Sequence, residues 1–171
     1  MRASDHQFRQ FVEQHQAMVF SIALRLLGER GVAEEVAQDC FVELYRSLDR
    51  IESPEHLCFW LRRVAVHRAT DGLRRRALRP ESQGEEWMEL HGDGRNARAG
   101  NGKLDSRIES VLMSLPEGLR VAIVLRYQEE MRPEEIAALL GQPLATTKSN
   151  LQRGLELLRR KSSVLLKEFV R

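Results

Sequence analysis

The chain has 171 residues, with 27 Lys plus Arg against 25 Asp plus Glu and a formal net charge of +2. Hydrophobic residues make up 42% of it, which excludes a collagen-like or fully disordered chain. Its longest apolar runs, Val121–Leu125 and Ile136–Leu140, fall far short of the about 20 residues that cross a bilayer. Taken whole, the near-balance of charge argues against a nucleic-acid binder, and the length allows one domain or two small ones near the lower limit for independent folding.

The first residues, MRASDHQFRQF, lack the apolar core and small-residue cleavage site of a signal peptide, so a cytoplasmic protein without membrane insertion is expected. A first helix follows, with Phe8, Phe11, Val12, His15, Met18, Val19, Ile22 and Leu26 at three- and four-residue steps, and Gly28 with Gly31 ending the pattern. A second helix is predicted from about Val32 to Leu48, with Val36, Ala37, Cys40, Phe41, Leu44 and Leu48 on its buried face and acidic residues over much of the rest. Ser53 and Pro54 mark a loop. In the third helix Leu57, Leu61, Val64 and Ala65 form the buried stripe, while Arg63, His67, Thr70 and Arg74 lie on another. Cys40 and Cys58 are too few for a disulfide framework and read as small buried hydrophobes.

Residues 77–106 hold five of the eleven glycines, few aliphatic residues and no sustained periodicity, and are predicted to form a flexible linker in which Trp87, Met88 and Leu90 could make a short anchoring turn. The predicted organisation is therefore a helical domain over 1–76, the linker, and a second helical domain over 107–171. No alternating strand pattern occurs, and the fold class is all-α.

Charge taken by segment shows what the total hides. Gly28–Cys58 carries eight acidic and three basic residues, whereas Arg62–Arg76 carries six basic residues against Asp71 alone. Likewise Gln128–Gln142 has four Glu and one Arg, and Leu144–Lys161 has five basic residues and one Glu. Exposed charges separated by more than a Debye length of about 8 Å act as distinct patches, so partners meet an acidic surface followed by a basic one, twice.

The clearest motif is in the second half. Pro133 suits a first helical position, Glu134 and Glu135 suit a positive helix start, Ile136–Leu140 give an apolar face, and Gly141 permits a tight turn. After Gln142 and Pro143 a second helix restarts at Ala145 and runs to Arg160, with Leu151, Leu155 and Leu158 facing inward. This is the pattern of a helix-turn-helix, whose second helix meets base edges in the major groove through its N-terminal residues. Those are Thr146, Thr147, Lys148, Ser149, Asn150, Gln152 and Arg153. An ordinary helical hairpin with a solvated basic face is the competing explanation. Thr147 stands where such cores are usually apolar, and Gly154 costs about 1 kcal/mol inside a helix relative to Ala.

The acidic AEEVAQDCFVELYRSLD, the following FWLRRVAVHRATDGLRRR, the linker and LPEGLRVAIVLRYQEEMRPEEIAALLGQPLATTKSNLQRGLELLRR together resemble the extracytoplasmic-function (ECF) group of bacterial sigma factors. The resemblance covers nearly the whole chain except the linker. It implies a two-domain initiation factor, of regions 2 and 4, that binds core RNA polymerase and directs it to promoter DNA. By that resemblance the helix around Ala33–Arg46, with Glu35, Gln38, Asp39 and Phe41, docks on the clamp helices of the largest polymerase subunit, and the second domain meets the flap of the second-largest. Arg62, Arg63, His67, Arg68, Asp71, Arg74 and Arg75 correspond to the part that recognises and opens the -10 element, with Arg76 adding phosphate contacts, and Asp49–His56 to the loop that captures an extruded base. Trp60 matches a family aromatic but adjoins the apolar stripe and is assigned to the core. The helix-turn-helix corresponds to the reader of the -35 element. An anti-sigma partner is expected from the family.

Arg62 stands where the family often has Tyr, His67 where Asn is common, and Asn150 where Arg is frequent, so promoter preference does not transfer. A helix-turn-helix regulator acting alone would explain Leu144–Lys161 but leaves the acidic helix and Arg62–Arg76 without a joint role, and a sigma-like adaptor would bind polymerase without opening promoters. No HExxH set, phosphate loop, CxxC pair or GxSxG elbow occurs, so neither an enzyme nor a cofactor is expected. The pairs Glu129–Glu130 and Glu134–Glu135 are read as helix-start electrostatics.

Overall fold

The computed structural model describes residues 3–78 and 102–169, with side chains over 5–78 and 106–164. Among these every regular element is helical, and no helix is long and apolar enough to cross a membrane. The linker proposed for 77–106, with its Trp87 turn, falls largely outside the described residues; where they resume, a helix has already begun at Gly102, inside the stretch assigned to the linker.

Three long helices build the first half: α1 (Ala3–Leu27), α2 (Arg30–Ser47) and α3 (Pro54–Ala77). Gly28, at φ +73°, makes the sharp turn between the first two, whereas Gly31, predicted to help end α1, lies inside α2. One residue in the left-handed region suffices to stop α1, and the next turn begins at once. Ser53 caps α3, its Oγ accepting from the His56 backbone N–H at 3.1 Å, and Pro54 occupies the first turn, where its missing N–H costs nothing. Val19, Ile22, Leu26, Cys40, Leu44, Leu57, Leu61 and Ala65 fill the space between the three helices. Cys40 is fully buried, and burial pushes its thiol up to about 12, leaving it a hydrophobe rather than a nucleophile.

The second half contains α4 (Gly102–Met113), α5 (Glu117–Ile123), a π-helical turn (Val124–Gln128), α6 (Pro133–Leu140) and α7 (Leu144–Phe169). The apolar run Val121–Leu125 is buried throughout, which explains why it has no polar face. Gly154 is not a loss to α7: a Cβ there would stand 2.8 Å from Ile123 Cγ1, so its absence lets α5 and α7 cross closely. The cost in helix propensity is offset by that packing.

The two halves are not separate bodies. Residues of both join one apolar cluster, with α1 against α4 and α5 and α3 against α6. Each half is small for independent folding, and their contact enlarges the core that either could bury alone.

Candidate polymerase and promoter surfaces

In the helix-turn-helix, Arg132 N donates to Glu135 Oε2 at 2.7 Å, closing the first turn of α6. That backbone hydrogen bond, reinforced by the Arg132 side chain, lowers the Glu135 pKa. Gly141 ends the helix at φ +61°, in the left-handed conformation that favours glycine. On α7, Thr146, Lys148, Gln152 and Arg153 are exposed, Ser149 and Asn150 half-buried, and Thr147, Leu151 and Gly154 buried. The inward set recurs at the spacing of one helix face, which leaves the other face open for a groove.

Thr147 corrects the sequence expectation. It is 0% exposed, and its hydroxyl accepts from Gln142 Nε2 at 2.8 Å, so it joins the turn to the recognition helix and has no surface to offer a base. A polar residue at this core position is tolerated because Gln142 satisfies it.

On α3 the structure redraws the charged stripe. Arg63, His67, Asp71 and Arg75, spaced by four, are exposed and line a shallow groove with Trp60 and Arg68. Thr70, placed on that stripe by sequence, is buried and donates to the His67 carbonyl at 3.1 Å. Arg74 turns away, meeting Glu117 of α5 at 3.1 Å. Arg62, assigned with the -10 residues but off that stripe, is also paired: its Nε lies 2.9 Å from Glu129 Oε2, in a pair whose side chains are 24% and 6% exposed. Trp60 is half-buried against the core with one edge on the groove.

Arg68 links α3 to α2, its Nε donating to Glu43 at 3.0 Å and its NH1 to Asp39 at 3.4 Å. The hydrogen bond to Glu43 raises the Arg68 pKa above its already high ordinary value. Arg76 is similarly held by Glu29 at 2.8 Å. Glu35, Gln38 and Asp39 lie exposed on α2, but Phe41 is only 9% exposed and serves the core first. Its remaining edge joins Phe8, Val12, Phe20, Val42 and Tyr45 in an open apolar groove between α1 and α2. Val42 and Tyr45 are about half exposed, the condition of a surface that gains from being covered.

Sequence reasoning missed Glu117, Arg120, Gln128 and Glu129. Glu129 is not at a helix start: it follows the π turn, its N–H bonding to the Val124 carbonyl at 3.3 Å, five residues back. Glu130 then takes a positive φ of 54°, rare for a residue with a Cβ. This kink aims Glu129 at α3 and Gln128 at α1, where its Nε2 donates to Ser21 Oγ at 2.9 Å. The remaining pair, Glu134 and Glu135, does occupy the first turn of α6. Arg120 is 7% exposed and donates to the Leu26, Met113 and Leu115 carbonyls at 2.6, 2.9 and 2.9 Å, joining the C-terminal ends of α1 and α4. Burial lowers its pKa, and cations at helix C-termini gain from the helix dipole. Among the described residues no group of three or more His, Cys, Asp or Glu is arranged to hold a metal ion.

Residues 11–79 match sigma-70 region 2 and residues 105–158 match sigma-70 region 4. The ECF RNA polymerase sigma-E factor of Escherichia coli K12 is 30% identical over 174 residues, covering 94% of this chain and 88% of that protein. The ECF RNA polymerase sigma factor SigW of Bacillus subtilis is 28% identical, covering 90% and 87%. The ECF RNA polymerase sigma factor SigE of Mycolicibacterium smegmatis is 32% identical over 88% of this chain, which spans 59% of that relative's length. In fold, the chain is similar to the sigma factor RpoE of Bartonella quintana in complex with the anti-sigma factor NepR, at a TM-score of 0.73, 22% identity and coverage of 92% and 98%. CnrH, solved with the cytosolic domain of CnrY, is similar at a TM-score of 0.65 and 25% identity, with coverage of 96% and 90%. With both regions matched in order on one chain and a full-length relative at 30% identity, the protein belongs to the ECF group of the sigma-70 family, non-enzymatic factors that direct transcription initiation.

Proposed function

We propose that this chain works in the cytoplasm, binding core RNA polymerase through α2 and the groove beside it and carrying the polymerase to promoters whose -10 element meets α3 and whose -35 element meets α7. Glu34 and Gln38 rim the apolar floor to which Phe41 contributes, and Glu35 and Asp39 extend the acidic surface as exposed residues of the same helix. Such a rim steers a basic protein surface while the floor supplies area to bury. On α3, the open groove residues Arg63, His67, Asp71 and Arg75 are the first to meet the -10 strand, with Arg62, Arg68, Arg74 and Arg76 following once their carboxylate partners release them. Thr146, Lys148, Ser149, Asn150, Gln152 and Arg153 read the -35 element, and region 4 also meets the polymerase flap. Residues 1–76, 77–106 and 107–171 act as the promoter-melting domain, the tether and the -35 domain. The two similar solved structures contain an anti-sigma factor or the cytosolic domain of a partner, which supports an anti-sigma factor for this chain.

The observation that carries this proposal is the face of α7, where Thr146, Lys148, Gln152 and Arg153 point outward while Thr147, Leu151 and Gly154 point inward. Reconstitution with purified core polymerase and a promoter library tests it. Transcripts whose start sites share a spaced pair of upstream elements are expected; absence of both core binding and core-dependent initiation would sink it.

A further inference from the structure

Two features of the chain have no place in the promoter and polymerase surfaces. Between α4 and the far end of α7 lies a groove of about 430 Å³, lined by Ser110, Val111, Ser114, Arg160, Lys161 and Val164. Val111 is buried at its base, whereas Val164 is 57% exposed and Ile108, one turn before Val111 on α4, is 49% exposed. Lys161 Nζ donates to Ser114 Oγ at 2.6 Å and to the Ser114 carbonyl at 3.3 Å, which ties the two helices and leaves one of its three N–H groups for another acceptor. Among the described residues neither Lys161 nor Arg160 has a carboxylate partner. The groove is therefore apolar with a basic edge that nothing neutralises.

The second feature is in the sequence. Residues 81–93, ESQGEEWMELHGD, carry five acidic groups and no Lys or Arg, and set Trp87, Met88 and Leu90 among Glu85, Glu86 and Glu89. They lie outside the described residues and outside both matched regions, of which one ends at 79 and the other begins at 105. A stretch that only spans distance is served by Gly, Ser and charge, and gains nothing from a tryptophan left in water.

We propose that Glu85–Leu90 docks in the groove between α4 and α7, with Trp87 and its apolar neighbours over Ile108, Val111 and Val164 and its carboxylates toward Arg160 and Lys161. Charge selects this groove over the one between α1 and α2. The latter is lined by Glu34 and Arg46 and flanked by the exposed Glu35 and Asp39, so it repels an acidic segment that Arg160 and Lys161 attract. Reach allows it from both ends. The 11 residues between Leu90 and Gly102 extend to about 40 Å, and the groove starts only about 12 Å along α4. At the other end Arg76 is held by Glu29, beside Gly28, whose turn lies against Met113 and hence next to Ser114. From Leu78 the eight residues before Trp87 cover about 30 Å more. Part of the linker thereby completes the second domain, and two shorter tethers take the place of one long one. None of this depends on promoter reading, since both partners belong to the same chain.

Trp60→Phe leaves Trp87 as the sole tryptophan of the full chain. Its fluorescence is expected to be shielded from acrylamide, and shifted to the blue, relative to a synthetic peptide of residues 81–93. Val164→Asp, at an exposed position, should abolish the shielding without unfolding the chain by circular dichroism. Arg160→Glu should lower the docking equilibrium about fivefold, the size of one exposed ion pair, and Glu85→Lys with Glu86→Lys should restore it in that background. If Trp60→Phe does not fold, disulfide trapping gives the second reading: in a Cys58→Ser chain, Met88→Cys should cross-link to Val164→Cys and not to Val42→Cys. A Trp87 as accessible as in the peptide overturns the docking, as does shielding that survives Val164→Asp. Shielding lost on dilution assigns the groove to a second copy of the chain and also overturns it. Core-dependent initiation is measured separately, so failure of the docking and failure of the sigma function are distinguishable.

Discussion

The two basic helices of this protein carry their charge in different states. On α3, Arg62, Arg68, Arg74 and Arg76 each contact a carboxylate, supplied by Glu129, by Glu43 and Asp39, by Glu117 and by Glu29. On the reading face of α7, Lys148 and Arg153 have no carboxylate partner among the described residues. The proposed reading face of α7 stands open, whereas much of the charge on α3 is paired with carboxylates of neighbouring elements. The nearly zero net charge of the chain is thus expressed in contacts between elements, and the basic run Arg62–Arg76 seen in sequence overstates the charge that α3 presents.

The largest effect expected from this contrast is at α7. Lys148→Ala with Arg153→Ala should weaken promoter binding by the holoenzyme by about 2 to 4 kcal/mol, on the basis of about 1 to 3 kcal/mol for a good base contact and less for a phosphate. Core association should be unchanged, and filter binding with and without promoter DNA separates the two. A double variant that binds promoters like wild type would transfer the reading role away from α7.

Next in size is the scaffold that holds α7. Gly154→Val drives side-chain atoms into Ile123 and should cost about 1 to 3 kcal/mol in chemical denaturation, as overpacked cores do. Gly118→Ala, whose added Cβ meets only Asn150 Nδ2 at 3.8 Å, should be neutral or stabilising by up to about 1 kcal/mol. Equal effects at the two glycines would contradict the close crossing of α5 and α7.

The helices were legible because their signals are local. The Ser53 cap with Pro54 in the first turn of α3, and Pro133-Glu134-Glu135 in the first turn of α6, state their positions without tertiary help, and Gly141 fixes the turn. The approach of the two halves was not legible, since nothing at Glu129 in sequence distinguishes a helix-start acid from a buried partner of Arg62, 67 residues away. The apolar run Val121–Leu125 was the available signal: a segment with no polar face must be covered on all sides, and a domain of that size alone covers it poorly. Thr147 falls among the N-terminal residues of α7 assigned to base contact, yet its register one turn before Leu151, at a usually apolar position, puts it inside.

A smaller effect concerns α2. Asp39→Arg should weaken core association by about 1 kcal/mol or more through lost charge complementarity, with little change in folding, because Arg68 keeps its closer partner Glu43. Affinity measured by fluorescence anisotropy against core polymerase checks this, and unchanged affinity would remove Asp39 from the docking surface.

The most direct measurement is the separation of α1 from α7 in two states of the same protein. Dyes placed at Gln10 and Glu156, both exposed and outside the assigned surfaces, report it by energy transfer in a Cys58→Ser background, with Cys40 shielded by burial. High transfer in the free chain, where the two halves pack together, and strongly reduced transfer in promoter-bound holoenzyme are predicted; the same transfer in both states would contradict a factor whose α3 and α7 meet the -10 and -35 elements together.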